Sequence, residues 1–276
     1  MHYPIIDPII VSLGPLAIRW YGLSYLAAFV TAYWLLVWRT RHRPAGFSEQ
    51  DVSDLVFYGA LGAVIGGRLG SMLFYNFDHF LADPLYLLRI WEGGMSFHGG
   101  LLGAIAGLWW FGRKTGRGFF TVTDFTAPAV PTGLGFGRLG NFANTELPGR
   151  VTESPLGLHY PCDAVQGLTF TCTGEWESVA RHVSPLYQAM AEGVVLFIIV
   201  WLVANKPRPA AVVSGTFLAG YGALRVVTEY FRSPDPWIGY LAGDWLTMGQ
   251  VLSLPMVAAG AILVLWGRRW VSTTAA

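Results

Sequence analysis

The chain has 276 residues, of which 53% are hydrophobic and only 13% charged, and its mean hydropathy is +0.45. This balance excludes an ordinary soluble domain, in which about 25% of residues are charged, and indicates a bundle of membrane helices. The formal net charge of +1 says nothing about partners. The two cysteines cannot form a zinc cluster alone, and we expect no nucleic acid, metal or cofactor.

Seven apolar spans have about the length that a hydrocarbon core of roughly 30 Å requires. They lie near residues 15–38, 52–75, 96–112, 119–142, 187–204, 212–231 and 246–267. The third span is short and the fourth contains Pro128 and Pro131, so these two are the least secure as regular helices. No Lys or Arg precedes Arg19, so we expect the first span to remain in the mature protein. The prediction is an all-α integral membrane protein with seven transmembrane helices in a single membrane domain, residues 1–276.

Basic residues in the short loops predict the orientation. Ten of them follow the first, third, fifth and seventh spans: Arg39, Arg41, Arg43, Arg113, Lys114, Arg117, Lys206, Arg208, Arg268 and Arg269. All ten lie on one side, which the positive-inside rule identifies as the cytoplasm, so the N-terminus is outside and the C-terminus inside. Residues 76–95 then form an extracytoplasmic surface arm. The polar, turn-rich residues 143–186 form a small extracytoplasmic head.

Residues 133–150 carry many polar groups although they begin inside an apolar span. The polar members are Arg138, Asn141, Asn144, Glu146 and Arg150. A charge at membrane depth costs at least about 2.5 kcal/mol on insertion scales, so it is normally paired, or wetted by a cavity, and functional.

Other costly polar groups also fall in the outer halves of their spans under the predicted orientation: Tyr21, Arg68, His98, Arg225 and Glu229. Together with Arg138 and Asn141 they predict a wet cavity that opens toward the outer leaflet. We expect this cavity to hold something anionic or strongly polar.

The sixth span places Arg225, Glu229 and Arg232 on one helical face, at i, i+4 and i+7. One interpretation is an Arg/Glu pair that neutralises itself and fastens two helices. The other takes Arg138 into account: two guanidiniums with one nearby Glu leave spare positive charge, and a forked donor suits a phosphate.

His98 lies in a glycine-rich segment at the outer start of the third span. Glycines at 93, 94, 99, 100 and 103 let two helix backbones approach closely, and packing is the expected role of most of them. An imidazole at the mouth of a cavity can accept a proton from a thiol or a hydroxyl, whereas a lone His is more often structural. Both interpretations stay open at this point.

Four motifs in order along the chain resemble those of the bacterial prolipoprotein diacylglyceryl transferase family. They are RWYGL at 19–23, GGMSFHGG at 93–100, GRLGNFANTELPGR at 137–150 and YGALRVVTEYFR at 221–232. The central motif is long and specific, and the resemblance covers nearly the whole chain.

The resemblance implies an inner-membrane enzyme with seven transmembrane helices and a periplasmic head. Its family transfers the diacylglyceryl group of phosphatidylglycerol to the lipobox cysteine thiol of a prolipoprotein signal peptide, forming a thioether and releasing glycerol phosphate. The family's functional positions fall on Tyr21, His98, Arg138, Asn141, Glu146, Gly149, Arg225 and Glu229. His98, Arg138 and Arg225 are the expected catalytic residues, and all but His98 are expected to contact the substrate.

The chain departs from the resemblance at residues 182–188, where the family reads like HPSQLYE and this chain reads HVSPLYQ. Gln188 therefore stands where an acid is expected, and Glu192, one turn later, is the candidate substitute. Cys162 and Cys172 lie in the predicted head, where an oxidising compartment permits a disulfide, but their spacing does not establish the bond.

The resemblance and the residues together predict a mechanism. Arg138 and Arg225 hold the phosphate of phosphatidylglycerol while its acyl chains stay among the membrane lipids. Asn141 and Tyr21 orient the headgroup, and His98 takes the thiol proton, unless cationic surroundings make a dedicated base unnecessary. The alternative functions are a lipid or anion transporter with an outward-facing phosphate site, and a structural or assembly protein.

Overall fold

The computed structural model describes residues 1–14, 16–43, 46–89, 93–163 and 170–274. Residues 90–92 of the predicted arm and 164–169 of the predicted head lie outside the described residues. The chain divides into two compact units: unit one contains Met1–Ala32 and Thr126–Ala276, and unit two contains Tyr33–Phe125. The prediction of one membrane domain is not tested by this division.

The protein is mostly helical, and four helical runs in the described residues are long and apolar enough to cross a membrane. These runs are Trp20–His42, Glu49–Phe74, Ser184–Ala204 and Met248–Arg268. The chain is therefore a membrane protein of helical type. The count of seven transmembrane helices, the arm and the head stay predictions.

Two short sheets correct the all-α prediction. Strands β1 (Ile9–Leu13) and β2 (Leu16–Arg19) form an antiparallel hairpin, so helix α1 (Trp20–His42) begins after it and not at residue 15. The β-branched residues around positions 9–11 and 18 favour strands, and Gly14 adopts a φ of 62° that suits a tight turn. Strands β3 (Cys172–Thr173) and β4 (Trp176–Glu177) form the second sheet.

Unit two is organised around two packed helices, α2 and α4. Its elements after the end of α1 are α2 (Glu49–Phe74), α3 (Phe77–Ala82), a 3₁₀ turn (Pro84–Leu88), α4 (Phe97–Thr115) and α5 (Phe119–Thr126). A capping box starts α2: the backbone N–H of Asp51 donates to Ser48 Oγ at 3.1 Å, and that of Ser48 donates to the Asp51 carboxylate at 2.8 Å. Helix α4 is regular despite its short apolar span.

Glycines bring α2 and α4 into backbone contact. A Cβ on Gly66 would lie 2.3 Å from the carbonyl oxygen of Gly99, and one on Gly103 would lie 1.9 Å from that of Gly62. Residues four apart on each helix therefore form a stripe of the small-xxx-small type. The packing role predicted for Gly99 and Gly103 is confirmed.

Arg68 in α2 organises the segment that follows it. Its side chain is 2% exposed, and it donates to the backbone carbonyls of Leu87 at 3.0 Å, Arg89 at 2.9 Å and Gly94 at 3.1 Å. These carbonyl oxygens satisfy the buried guanidinium, which forms no ion pair with a carboxylate in the described part of the chain. Arg68 thus binds the backbone at Leu87, Arg89 and Gly94, which gives it a structural role.

The helices of unit one carry most of the predicted site. They are α6 (Val130–Ala143), α7 (Ser184–Gln188), a π-helical turn (Ala189–Val195), α8 (Leu196–Ala204), α9 (Val212–Glu229) and α10 (Met248–Thr274). The fourth predicted span is broken, because α5 ends at Thr126 and α6 begins at Val130. Pro128 lies in the gap and has no N–H to continue a helix, while Pro131 fits the first turn of α6.

Glycines also allow neighbouring helices in unit one to approach each other closely. A Cβ on Gly193 would lie 2.7 Å from the Cα of Gly135, and one on Gly260 would lie 2.6 Å from the carbonyl oxygen of Gly215. The first contact joins α6 to the π-helical turn, and the second joins α9 to α10. The apolar core beside them contains Ala127, Leu196, Val200 and Val213.

The predicted head shares a small core with the N-terminal segment within unit one. Tyr3, Tyr160 and Val183 are buried together, and the Tyr3 hydroxyl donates to the Phe142 carbonyl at 2.7 Å. Burial raises the pKa of the Tyr160 hydroxyl above its ordinary value. Cys162 and Cys172 form a disulfide, which resolves the pairing that their spacing left open.

Candidate functional site

A buried carboxylate in unit one holds guanidiniums from two different helices. Arg138 in α6 places Nε and Nη2 at 3.2 and 3.1 Å from Glu192 Oε2. Arg225 in α9 places Nη1 at 3.4 Å from Glu192 Oε1. The structure therefore brings together the two arginines predicted to hold a phosphate, one on each oxygen of a fully buried Glu192.

Local backbone structure puts Glu192 in this position. The residue lies in the π-helical turn Ala189–Val195, a deviation that is frequent at functional sites. The contact between Gly135 and Gly193 lets α6 approach closely enough for Arg138 to reach the carboxylate. Thr228 adds a donor from α9, with Oγ1 at 3.3 Å from Glu192 Oε1.

Glu229 is the second carboxylate of a cluster that also contains Glu192, Arg138, Arg225 and Arg232. Its Oε2 lies 2.8 Å from Arg225 Nη2, and its Oε1 lies 3.8 Å from Arg232 Nη1. Arg232 lies three residues beyond the end of α9, so the prediction of one shared helical face holds only for Arg225 and Glu229. Thr247 Oγ1 donates to Glu229 Oε1 at 3.1 Å. A Cβ on Gly249 would lie 2.7 Å from the carboxylate, so only glycine leaves room for the acid there.

The charge count differs from the one expected. The sequence analysis counted two guanidiniums and one nearby Glu, whereas the cluster contains three guanidiniums and two buried carboxylates. One formal positive charge remains among these five groups. Asp235 meets Arg232 at 2.6 Å, but its side chain is 50% exposed, so water screens that pair. Arg138 has the most exposed side chain of the three arginines, at 19%.

The loop after α6 is held by polar contacts of its own. Asn141 Nδ2 donates to Glu146 Oε2 at 2.6 Å, and Asn144 Nδ2 donates to Glu146 Oε1 at 3.2 Å. A Cβ on Gly149 would lie 2.3 Å from the carbonyl oxygen of His182, so a side chain does not fit there. Burial lowers the pKa of His182 below its ordinary value. Asn141, at the end of α6, is thus tied to the loop that carries Glu146 and Gly149.

Tyr21 packs directly against the helix that carries Arg138 and Asn141. A Cβ on Gly140 would lie 3.0 Å from Tyr21 Cδ2. The hydroxyls of Tyr21 and Tyr25 lie 3.3 Å apart. The glycine therefore lets α1 bring the tyrosine ring onto α6, next to the predicted site residues.

His98 belongs to unit two. It is exposed near the start of α4, where Ser96 Oγ accepts from the backbone N–H of Gly99 at 3.2 Å. Its ring meets Phe97 edge-on, with centroids 5.6 Å apart. The role of His98 stays a prediction.

The central position of Glu192 was not predicted from the sequence. Glu192 was expected only as a substitute for an acid at position 188, and not among the costly polar groups of the spans. The signal was available, because a carboxylate inside the apolar segment 187–204 needs a cationic partner. Its partners, Arg138 and Arg225, lie 54 and 33 positions away along the chain, and only the three-dimensional structure identifies them.

Glu192→Gln is expected to destabilise the protein. The amide keeps the size of the side chain but removes the negative charge between two guanidiniums, and breaking a buried ion pair costs about 3 kcal/mol. Thermal unfolding of the purified protein in detergent measures the effect as a lower midpoint. Glu153→Gln is the control, because Glu153 is exposed. An unchanged midpoint for Glu192→Gln contradicts the proposed central position of this carboxylate.

Known proteins are similar to this chain over nearly its full length. The family model for prolipoprotein diacylglyceryl transferase matches residues 8–266. A phosphatidylglycerol–prolipoprotein diacylglyceryl transferase of Photobacterium profundum is 52% identical over 266 residues, covering 96% of this chain and 95% of the relative. A protein of the same name from Chromohalobacter salexigens is 49% identical over 269 residues, covering 98% and 95%. The chain therefore belongs to the prolipoprotein diacylglyceryl transferase family.

Proposed function

We propose that this protein transfers the diacylglyceryl group of phosphatidylglycerol to the lipobox cysteine of a prolipoprotein signal peptide. The main support is the match over residues 8–266 to a family of diacylglyceryl transferases. The relatives are named for phosphatidylglycerol and prolipoprotein as their substrates. The buried cluster of arginines and glutamates supplies a cationic site in a membrane protein, as a phosphate-bearing lipid requires.

The reaction is a substitution at a glycerol carbon. The cysteine sulfur forms a bond to that carbon, the bond from carbon to the phosphate oxygen breaks, and glycerol phosphate leaves with the electron pair. The thiol proton passes to a base. Because sulfur and leaving oxygen must be in line, positioning of the two substrates accounts for much of the rate.

Arg138 and Arg225 stabilise the negative charge that develops on the departing phosphate. A guanidinium has five N–H donors in a planar fork. Arg138 directs Nε and Nη2 toward Glu192, and the exposed part of its side chain is accessible to an anion. In this proposal Glu192 fixes the orientation of both arginines before the lipid enters, so little reorganisation is needed in the transition state.

The remaining predicted residues position the substrates. Tyr21 and Asn141 orient the headgroup, Glu146 braces the loop that carries Gly149, and Glu229 fixes Arg225. These roles are consistent with the contacts of Asn141 with Glu146 and of Arg225 with Glu229.

His98 is proposed as the base that takes the thiol proton. The alternative keeps His98 as an orienting group, in which case cationic surroundings lower the pKa of the thiol sufficiently for it to ionise unaided. The exposure of His98 leaves its imidazole accessible for either role.

We also propose the finer topology. Seven membrane crossings, with residues 76–95 as a periplasmic arm and 143–186 as a periplasmic head, place the N-terminus outside and the C-terminus in the cytoplasm. The host membrane is the bacterial inner membrane. Acyl chains of the substrate remain among the membrane lipids while the headgroup enters the cluster sideways.

The decisive experiment is incubation with labelled phosphatidylglycerol and a peptide that contains a lipobox cysteine. We expect the peptide to gain the mass of one diacylglyceryl group, measured by mass spectrometry. A peptide with serine in place of that cysteine is the control and gains nothing. If the lipid binds but the cysteine peptide gains no mass, the proposed activity is wrong, and a lipid or anion transporter becomes the better interpretation.

A further inference from the structure

Gln188 is a buried amide without a hydrogen-bond partner among the described residues. The side chain is 0% exposed, and neither Nε2 nor Oε1 has a partner there. A primary amide carries two N–H donors and one oxygen acceptor. Leaving all of them unpaired away from water is costly, so a buried amide in a native protein normally meets a polar group.

Neighbouring polar side chains on the same helical run do have partners. Ser184 Oγ donates to the Leu147 carbonyl at 2.6 Å, and Glu192 accepts from Arg138 and Arg225. Gln188 therefore differs from the polar side chains on either side of it, because its amide has no partner among the described residues. A polar guest that reaches this position would satisfy it.

The position of Gln188 connects it to the cluster. It ends α7, four residues before Glu192, and α7 packs against both α6 and α9. Those helices carry Arg138 and Arg225, so the helix that ends at Gln188 packs against the same two helices that supply the guanidiniums. Arg232, three residues after the end of α9, also has a buried Nε without a partner in the described residues.

The chemistry of an amide restricts the guest. Ionised phosphate oxygens only accept hydrogen bonds, so they satisfy Nε2 alone. An ammonium group only donates them, so it satisfies Oε1 alone. A pair of neighbouring hydroxyls donates to Oε1 and accepts from Nε2 at once. The glycerol headgroup of phosphatidylglycerol carries such a pair next to its phosphate.

We propose that the Gln188 amide binds the hydroxyls of the headgroup glycerol and makes the site selective for a lipid with that headgroup. This inference rests on the proposed function and adds a specificity-determining residue to it. The guanidiniums hold the phosphate, which all phospholipids share. Gln188 recognises the headgroup alcohol that is esterified to this phosphate.

Lipid binding to the full-length protein in detergent tests the proposal without the transfer reaction. We measure dissociation constants for phosphatidylglycerol and for phosphatidic acid, which lacks the headgroup glycerol. The wild-type protein should prefer phosphatidylglycerol by about 10-fold, the effect of roughly one hydrogen-bonded pair. Gln188→Met, which keeps the length of the side chain, should lose this preference while its affinity for phosphatidic acid stays unchanged.

Two further variants separate recognition from folding. Gln188→Glu should keep the preference, because a carboxylate accepts from both hydroxyls, and it remains informative if Gln188→Met does not fold. Gln50→Met is the control, because Gln50 is exposed and its amide donates to Asp54 at 3.0 Å. It should bind both lipids as the wild type does.

A preference that persists in Gln188→Met overturns the inference and assigns the amide to an internal water. Equal binding of the two lipids by the wild type overturns it as well. The transfer assay with the lipobox peptide is run separately on the wild type. A failed transfer reaction alongside an intact lipid preference would reject the proposed activity and retain the headgroup site.

Discussion

Arg138→Lys and Arg225→Lys are each expected to lower the rate of diacylglyceryl transfer by about 100- to 1,000-fold, the usual effect of removing one preorganised donor to a developing oxyanion. Lysine keeps the positive charge beside Glu192, so the protein should still fold. It lacks the planar fork that can hold Glu192 and a phosphate at the same time. The measurement is initial turnover of the lipobox peptide at saturating phosphatidylglycerol.

The alanine variants Arg138→Ala and Arg225→Ala should abolish transfer, and they also leave the buried Glu192 with one cationic partner fewer. Arg113→Lys is the matched control, because Arg113 is exposed near the end of α4 and lies over Trp109. It should turn over as the wild type does. Near-wild-type turnover in either Arg138→Lys or Arg225→Lys would falsify the assignment of that arginine to the phosphate.

Gly66→Ala and Gly103→Ala are expected to lower the free energy of unfolding by about 3 kcal/mol or more, at the upper end of overpacking effects. The new methyl group would meet a backbone carbonyl oxygen at 2.3 Å in the first variant and at 1.9 Å in the second. Backbone atoms cannot rotate away as a flexible side chain does, so α2 and α4 must separate. Thermal unfolding in detergent and the amount of protein in the membrane measure the effect.

Gly59→Ala is the control for this stripe, because Gly59 lies on α2 like Gly66 and the substitution adds the same methyl group. Its added Cβ would meet only Leu108 Cδ2, at 3.9 Å, which is ordinary van der Waals distance. The variant should be as stable as the wild type or slightly more stable, since alanine favours a helix more than glycine does. Equal stability of all three alanine variants would show that close backbone contact between α2 and α4 is not required.

Local pattern was sufficient for several parts of this protein. Apolar spans predicted helices, Pro128 and Pro131 made the fourth span less secure as a regular helix, and glycines predicted a helix contact. The hairpin at residues 9–19 was missed, because four or five apolar residues next to a helix look like the start of its span. Short apolar runs do not distinguish a strand from a helix end.

Arg68 shows why a charge at membrane depth does not reveal its own role. The sequence placed it with Arg138 and Arg225 as a costly cation in the outer half of a span. In the structure, Arg68 donates to backbone carbonyls in its own unit, whereas the other two meet a carboxylate. Both arrangements satisfy a guanidinium, and only folded coordinates distinguish them.

The sequence by itself determined the class of protein, its family motifs and the helix faces that carry charge, because hydropathy and helical period depend on residues close together in the chain. Tertiary structure decided the partners: Glu192 between Arg138 and Arg225, and Gln188 buried without one among the described residues. Such pairings join residues tens of positions apart, and their geometry depends on how closely glycines such as Gly135 and Gly193 let the helices approach.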